Sequence, residues 1–205
     1  MIRQFTTAIL LLLCVSAFSQ QEAATIYFTD GSSIKGLAGI KEKKLGFLRK
    51  YIIEFRVSTE DKADEWDETM AKGVTFTSED ENRKFEYIVS GKADEPVLME
   101  VMAEGNVNLY VDWVRITIYD SKKNAGHSDD PDTPVMRIPK LQEKDYLYVK
   151  KATEEYPTLL NGNFKKKALS YFSDCETLVK RIEDNKYPQS AILGLVEFYN
   201  DYCTE

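Results

Sequence analysis

Histidine is all but missing from this chain: one, His127, stands in 205 residues. That shortage excludes much chemistry. There is no His-Glu-x-x-His, no three-histidine zinc site and no Cys/His zinc cluster. A Ser-His-Asp triad would have to draw on His127, which follows Gly126 in a polar, Asp-rich loop, and no Gly-x-Ser-x-Gly surrounds any serine. His127 therefore reads as an ordinary loop residue. Glycine-rich phosphate cradles are missing too, with neither a Walker loop nor a Gly-x-Gly-x-x-Gly present. No cofactor and no catalytic residue is expected.

Long apolar runs are equally scarce. The one at the start, Ala8 to Val15, is far shorter than the roughly 20 residues a bilayer span needs. It follows Arg3 and precedes Ala17-Phe18-Ser19, small residues at the −3 and −1 positions of a cleavage site. Residues 1–19 thus read as a secretory signal peptide cut before Gln20. No transmembrane segment is expected after signal cleavage. The expected location is the periplasm, the outer membrane or the extracellular space.

Cysteine is limited to three. Cys14 lies in the signal. Leu11-Leu12-Leu13-Cys14 has the outline of a lipobox, but that motif needs a small residue before the cysteine and Leu13 is not small. Cys14 is expected to leave with the signal. Cys175 and Cys203 remain, an even pair in an oxidising compartment, where a disulfide is the default. Over a loop of under roughly 30 residues such a bridge contributes ~3–4 kcal/mol in the chain-entropy picture. No Cys-x-x-Cys occurs, so a redox-active pair is not expected.

Basic charge is outweighed: 27 Lys and Arg face 34 Asp and Glu, for a net charge of −7. An acidic chain repels phosphate, so nucleic acid is not an expected partner. Lys165-Lys166-Lys167 and Arg49-Lys50 read as solvated basic runs.

What the chain does have is β pattern followed by helical pattern. Thr25 to Thr29 alternates and runs into Asp30-Gly31, which predicts a type I′ hairpin turn into Ser32–Ile40. Gly36 and Gly39 predict a bend or bulge in that second strand. Further strands are expected at Leu45–Leu48, Tyr51–Val57, Val74–Thr77, Phe85–Val89, Asn106–Val111, Val114–Tyr119 and Asp145–Lys151, with one strand interrupted near Asp112-Trp113 as the alternative for Asn106–Val111 and Val114–Tyr119. Ser58–Lys72, acidic and anchored by Trp66, is expected as a loop or short helical turn. Asp94-Glu95-Pro96 and Gly105 bracket an expected helix with Val97, Leu98, Val101 and Met102 on its apolar side; a hairpin strand is the alternative. Beyond Tyr156-Pro157 the spacing of Phe164, Ala168, Leu169 and Phe172 is helical. Ser173-Asp174-Cys175-Glu176 fits a capping box. Pro188 opens a last helix carrying Ile192, Leu195, Val196 and Tyr199. Antiparallel packing of the last two helices would bring Cys175 beside Cys203.

The fold expected is α+β. A β-rich roll or small barrel-like domain covers 20–151, a linker 152–163, and a small helical region with the disulfide 164–205.

Acids and tyrosines are the remaining candidates. Paired carboxylates hydrolyse glycosides at about 5–10 Å separation, but spacing in space is invisible in the sequence. Asp129, Asp130 and Asp132 could offer calcium hard oxygen ligands, yet they lack the glycine and terminal glutamate of an EF-hand loop. They read as a solvated acidic loop, and no metal site is assigned. Tyr110, Tyr119, Tyr146 and Tyr148 fall on expected strands, where they either pack across the sheet or stack on a sugar or peptide.

Thr25 to Gly36, Met99 to Tyr110, Tyr146 to Lys151, and Ser173 to Leu178 with Tyr199 to Cys203 follow one another in an order that resembles a broad group of uncharacterised secreted proteins of Bacteroidota. The signal ending Ala-Phe-Ser-Gln is similar to theirs. The resemblance spans most of the mature chain. It implies an envelope or extracellular location, and it carries no established activity and no catalytic residues. The first hairpin also resembles Sm-like or SH3-like barrels, at the level of fold alone. The expected role is a non-enzymatic envelope protein that binds another envelope protein or a small ligand. The alternatives are a structural accessory subunit of a surface assembly and a carboxylate-dependent hydrolase of envelope glycans or peptides.

Overall fold

The computed structural model describes residues 21–45, 48–79, 82–92, 94–119 and 139–203, with backbone alone at 44–45, 48–49, 114–119 and 139–144. The signal sequence, Cys14, His127, Asp129, Asp130 and Asp132 lie outside these residues. Among the described residues ten strands occupy 22–159 and three helices follow, an α+β fold in which every described strand pairing is antiparallel. One compact unit runs to Val89 and takes in Glu95–Leu98; the other holds Ser90–Asp94 and the chain from Met99 onward.

The first unit contains β1 (Glu22–Tyr27), β2 (Ser33–Leu45), β3 (Leu48–Arg56), β4 (Asp64–Trp66), β5 (Gly73–Phe76) and β6 (Arg83–Ile88). Their order, β6-β5-β1-β2-β3-β4, is linear, so the sheet is open rather than closed into a barrel. Ala24, Ile26, Ala38, Ile53, Phe55, Val74, Phe76 and Phe85 alternate onto one face and form its core. Trp66 anchors β4 there, its ring 5.2 Å from those of Phe28 and Phe55. The segment expected as a loop thus contains a short edge strand.

Three local expectations give way here. Tyr27 pairs with Ser33, so the first hairpin closes through Phe28–Ser32 and not a two-residue turn. Only Gly31 is left-handed, at φ +84°, while the Asp30 carboxylate accepts from Ser32 N at 2.8 Å and Ser32 Oγ at 2.6 Å. The local side-chain bond, not the type I′ geometry, sets the turn. At Gly36 the register is unbroken and there is no bulge. Glycine is needed because a Cβ would lie 2.4 Å from Arg56 O and 2.7 Å from the Phe55 ring. Leu45 and Leu48 pair with each other at the end of the β2–β3 hairpin, so they do not form a strand of their own.

The second unit takes most of β7 (Val97–Ala103), with β8 (Val107–Tyr119), β9 (Pro139–Lys151) and β10 (Thr158–Leu159) in the order β7-β8-β9-β10. The expected helix at Asp94–Gly105 is β7, paired with β8 through Glu100↔Val111, Val101↔Tyr110 and Ala103↔Leu109. Leu98, Met99 and Glu100 are buried in succession, so both faces are covered and no period-2 pattern survives in the sequence. Apolar residues on both sides of Glu100 leave a short segment that cannot be told from a buried helix by periodicity. Asp94 accepts from Ser90 Oγ instead of capping a helix. Gly105 permits close approach: a Cβ there would meet Asn200 Nδ2 at 2.5 Å.

Three helices close the unit: α1 (Phe164–Tyr171), α2 (Glu176–Glu183) and α3 (Ile192–Tyr202), the last entered through a 3-10 turn after Pro188. They share one core with β8 and β9, in which Val107, Leu109, Val111, Leu147 and Val149 meet Phe164, Phe172, Leu178, Ile182, Leu195 and Val196. Within the expected linker, β10 pairs with β9 and Leu160 is fully buried, its N–H donating to Leu147 O at 2.8 Å.

The expected capping box does not form. Cys175 is the N-cap of α2, with no side-chain cap bond, and Asp174 binds Lys151 Nζ and Tyr199 Oη, both at 2.7 Å. The helix starts later than a box on Ser173 requires, and its N-cap is a cysteine whose sulfur is tied to Cys203. α2 ends on Asn185 at φ +56°, a left-handed stop that asparagine tolerates. The basic run is partly structural. Lys165 donates to Glu183 O and Asn185 Oδ1, and Lys167 to Leu159 O and Asn161 O.

Candidate ligand face on the β8–β9 ladder

Strand alternation divides β8 and β9 into two faces. Val107, Leu109 and Val111 with Leu147 and Val149 turn to the helices. The intervening residues form the rungs Asn108↔Lys150, Tyr110↔Tyr148 and Asp112↔Tyr146 on the opposite side. Residues directly opposite in an antiparallel pair have Cβ atoms about 4.5–5.5 Å apart. Two adjacent rungs therefore collect three tyrosines and a carboxyl group.

Their environments differ. Tyr110 is only 4% exposed, and its hydroxyl accepts from Asn108 Nδ2 at 3.0 Å. Asn108 Oδ1 in turn accepts from Gly105 N at 3.0 Å, so the β7–β8 turn fixes the amide and the amide fixes the ring. Asp112, Tyr146 and Tyr148 are half-buried. Burial pushes the Asp112 carboxyl up to about 6. Burial also raises the Tyr148 hydroxyl, helped by the charges of Asp112, Tyr146 and Asp94.

The face brings together Tyr110, Tyr146 and Tyr148 of the four tyrosines singled out in the sequence. Tyr119 pairs with Pro139 at the far end of the ladder, and its side chain lies outside the described residues. Asp112 was not singled out because it falls in the gap between the expected strands Asn106–Val111 and Val114–Tyr119, which the structure joins into the single strand β8. Glu100 was also passed over. It is 7% exposed and accepts from Trp113 Nε1 at 2.7 Å on the other side of the sheet.

A second polar cluster ties β9 to the helices. Lys151 Nζ sits 5.2 and 5.3 Å from the ring centroids of Tyr171 and Tyr199, and Tyr171 Oη donates to Glu154 Oε2 at 2.6 Å. Its groups are consumed by one another, which marks a structural clamp. Beside it Cys175 and Cys203 are joined in a disulfide, with Cα atoms 5.6 Å apart.

Among the described residues no group of three or more His, Cys, Asp or Glu could hold a metal ion, and no helix is long and apolar enough to cross a membrane. No family model, curated protein or solved structure matches the chain.

Proposed function

We propose that the protein is exported to the envelope and acts there as a non-enzymatic binding protein, taking a small ligand or an envelope protein on the half-buried Asp112, Tyr146 and Tyr148, with Tyr110 buried beside them. The observation that carries this reading is the juxtaposition of the rungs Tyr110↔Tyr148 and Asp112↔Tyr146, on the side of the ladder the helices leave free. Tyrosine rings join a flat apolar body to a polar rim, the chemistry that fits a sugar ring or an extended peptide. Asp112 adds an acceptor that changes its charge near neutral pH. Export is supported by the signal-like start and by the disulfide, a bond that persists in oxidising compartments. The resemblance to secreted Bacteroidota proteins supports the same location.

One observation favours a second reading. Asp112 is held in the range a general acid needs, so a carboxylate-dependent hydrolase of envelope glycans or peptides would place its proton donor here. Such an enzyme needs a second acid at about 5–10 Å.

The test is native and denaturing intact mass of protein taken from its own host's envelope without reductant. An excess native mass that disappears in Tyr148→Ala and Tyr146→Ala supports the binding face. Equal native and denaturing masses would remove the case for a tightly held ligand. Co-purification of an outer-membrane protein, unaffected by either substitution, would favour the accessory-subunit role instead.

A further inference from the structure

The two sulfurs of the disulfide sit at helix ends of opposite polarity. Cys175 is the N-cap of α2, and Cys203 is the C-cap of α3, its N–H donating to Tyr199 O at 3.0 Å. A helix carries roughly half a positive charge at its N-terminus and half a negative charge at its C-terminus. The helix ends therefore favour a thiolate at Cys175 over one at Cys203, against the upward push of apolar burial on the Cys175 thiol. Burial divides them the same way round for attack: Cys175 is 8% exposed, whereas Cys203 is only partly buried at the margin of the core.

Neighbouring carboxylates do not cancel the asymmetry. Asp174 precedes Cys175, but its Oδ2 is held at 2.7 Å by both the Lys151 ammonium and the Tyr199 hydroxyl. Glu176 follows Cys175, while Asp201 and Glu205 each lie two residues from Cys203, so the acids close in sequence do not favour a thiolate at Cys203.

From this we infer that the bridge is a one-sided thiol-exchange site, opened by a low-molecular-weight thiol at Cys203. The incoming thiolate attacks Cys203 Sγ, a new S–S bond forms there, and the Cys175–Cys203 bond breaks with its electron pair leaving on Cys175 Sγ. Cys203 becomes a mixed disulfide and Cys175 a thiolate at the start of α2. No net oxidant is consumed. The lower-pKa thiol leaves faster, and attack goes to the sulfur that can be reached. The more open position of Cys203 makes it the modified residue, the helix ends act in the same direction, and the reverse attack by Cys175 restores the bridge.

The experiment is a brief exposure of the oxidised mature protein, under native conditions, to 2-mercaptoethanesulfonate, followed by acid quench and peptide mass mapping. The adduct is expected on Cys203 in at least about fivefold excess over Cys175. Alkylation rates against pH in Cys203→Ser and Cys175→Ser should give the lower thiol pKa to Cys175, with circular dichroism checking that each variant is folded. Adduct on Cys175, an even split, or no adduct without denaturant would each overturn the proposal. The wild-type mapping decides the matter even if a serine variant does not fold.

Discussion

Asn200 on α3 holds Val107 on β8 as a neighbouring strand would: its Oδ1 accepts Val107 N–H at 2.8 Å and its Nδ2 donates to Val107 O at 2.9 Å. Val107 is fully buried, so both backbone groups depend on this one side chain. Asn200→Ala leaves a buried donor and acceptor unpaired, at about 1–3 kcal/mol each when water cannot reach them. A loss of about 2–4 kcal/mol is expected in urea unfolding. Gly105→Ala should cost a similar amount, because its Cβ would strike the Asn200 amide. The double substitution should cost less than the two single losses added together, since each disturbs the same contact.

Asp112 gives the protein a pH dependence of defined sign. Its folded value of about 6 lies above that of an unfolded aspartate, near 3.8. Below pH ~4 the carboxyl is protonated in both states and costs nothing. As pH rises through 6 the folded protein must ionise a half-buried group, and stability falls. Asp112→Asn should therefore be more stable than wild type at pH 7.5, by about 1–2 kcal/mol once partial exposure is allowed for. The two proteins should converge below pH 4. Thermal melts across that range check the prediction, and a difference that grows toward acid would refute it.

The Asp174–Lys151 pair runs the other way. Burial pushes the Asp174 carboxyl up, but hydrogen bonds from Lys151 and Tyr199 outweigh burial and hold it below its ordinary value. Its contribution is present above the unfolded aspartate pKa and is lost as pH falls through the folded value. Asp174 is half open to water, so Lys151→Met should cost no more than about 1 kcal/mol at neutral pH. The cost should shrink in acid, which denaturant titrations at two pH values would show.

The disulfide closes a loop with a sequence separation of 28. Replacing both cysteines by serine should lower stability by about 3–4 kcal/mol in the chain-entropy picture. Urea midpoints of wild type with and without reductant should bracket the same difference. An unchanged midpoint would mean that helix packing alone holds α3.

Much of this architecture was legible because burial leaves a period. Ile192, Leu195, Val196 and Tyr199 repeat at helical spacing, and all four are buried in α3. The cysteine pair was legible from compartment and number. β7 was not, because burial of Leu98, Met99 and Glu100 in succession erases alternation. The α2 cap was misread as Ser173 because the helix begins only after Cys175, whose place is tied to Cys203, a partner far away in sequence. The ligand face was half legible. Tyrosines on strands can be picked out, but register decides which of them become neighbours, and register placed Asp112 among them.

The apolar face of β8 and β9 is covered by residues that follow it, from Leu160 through α3. A chain made from its amino end thus presents Val107, Leu109, Val111, Leu147 and Val149 before their cover exists. During that interval the ladder is a bare adhesive surface, which a holding chaperone or delayed pairing of the strands would keep from sticking. A chain halted before α3 would be prey to aggregation and to proteases, whatever the condition of its first unit.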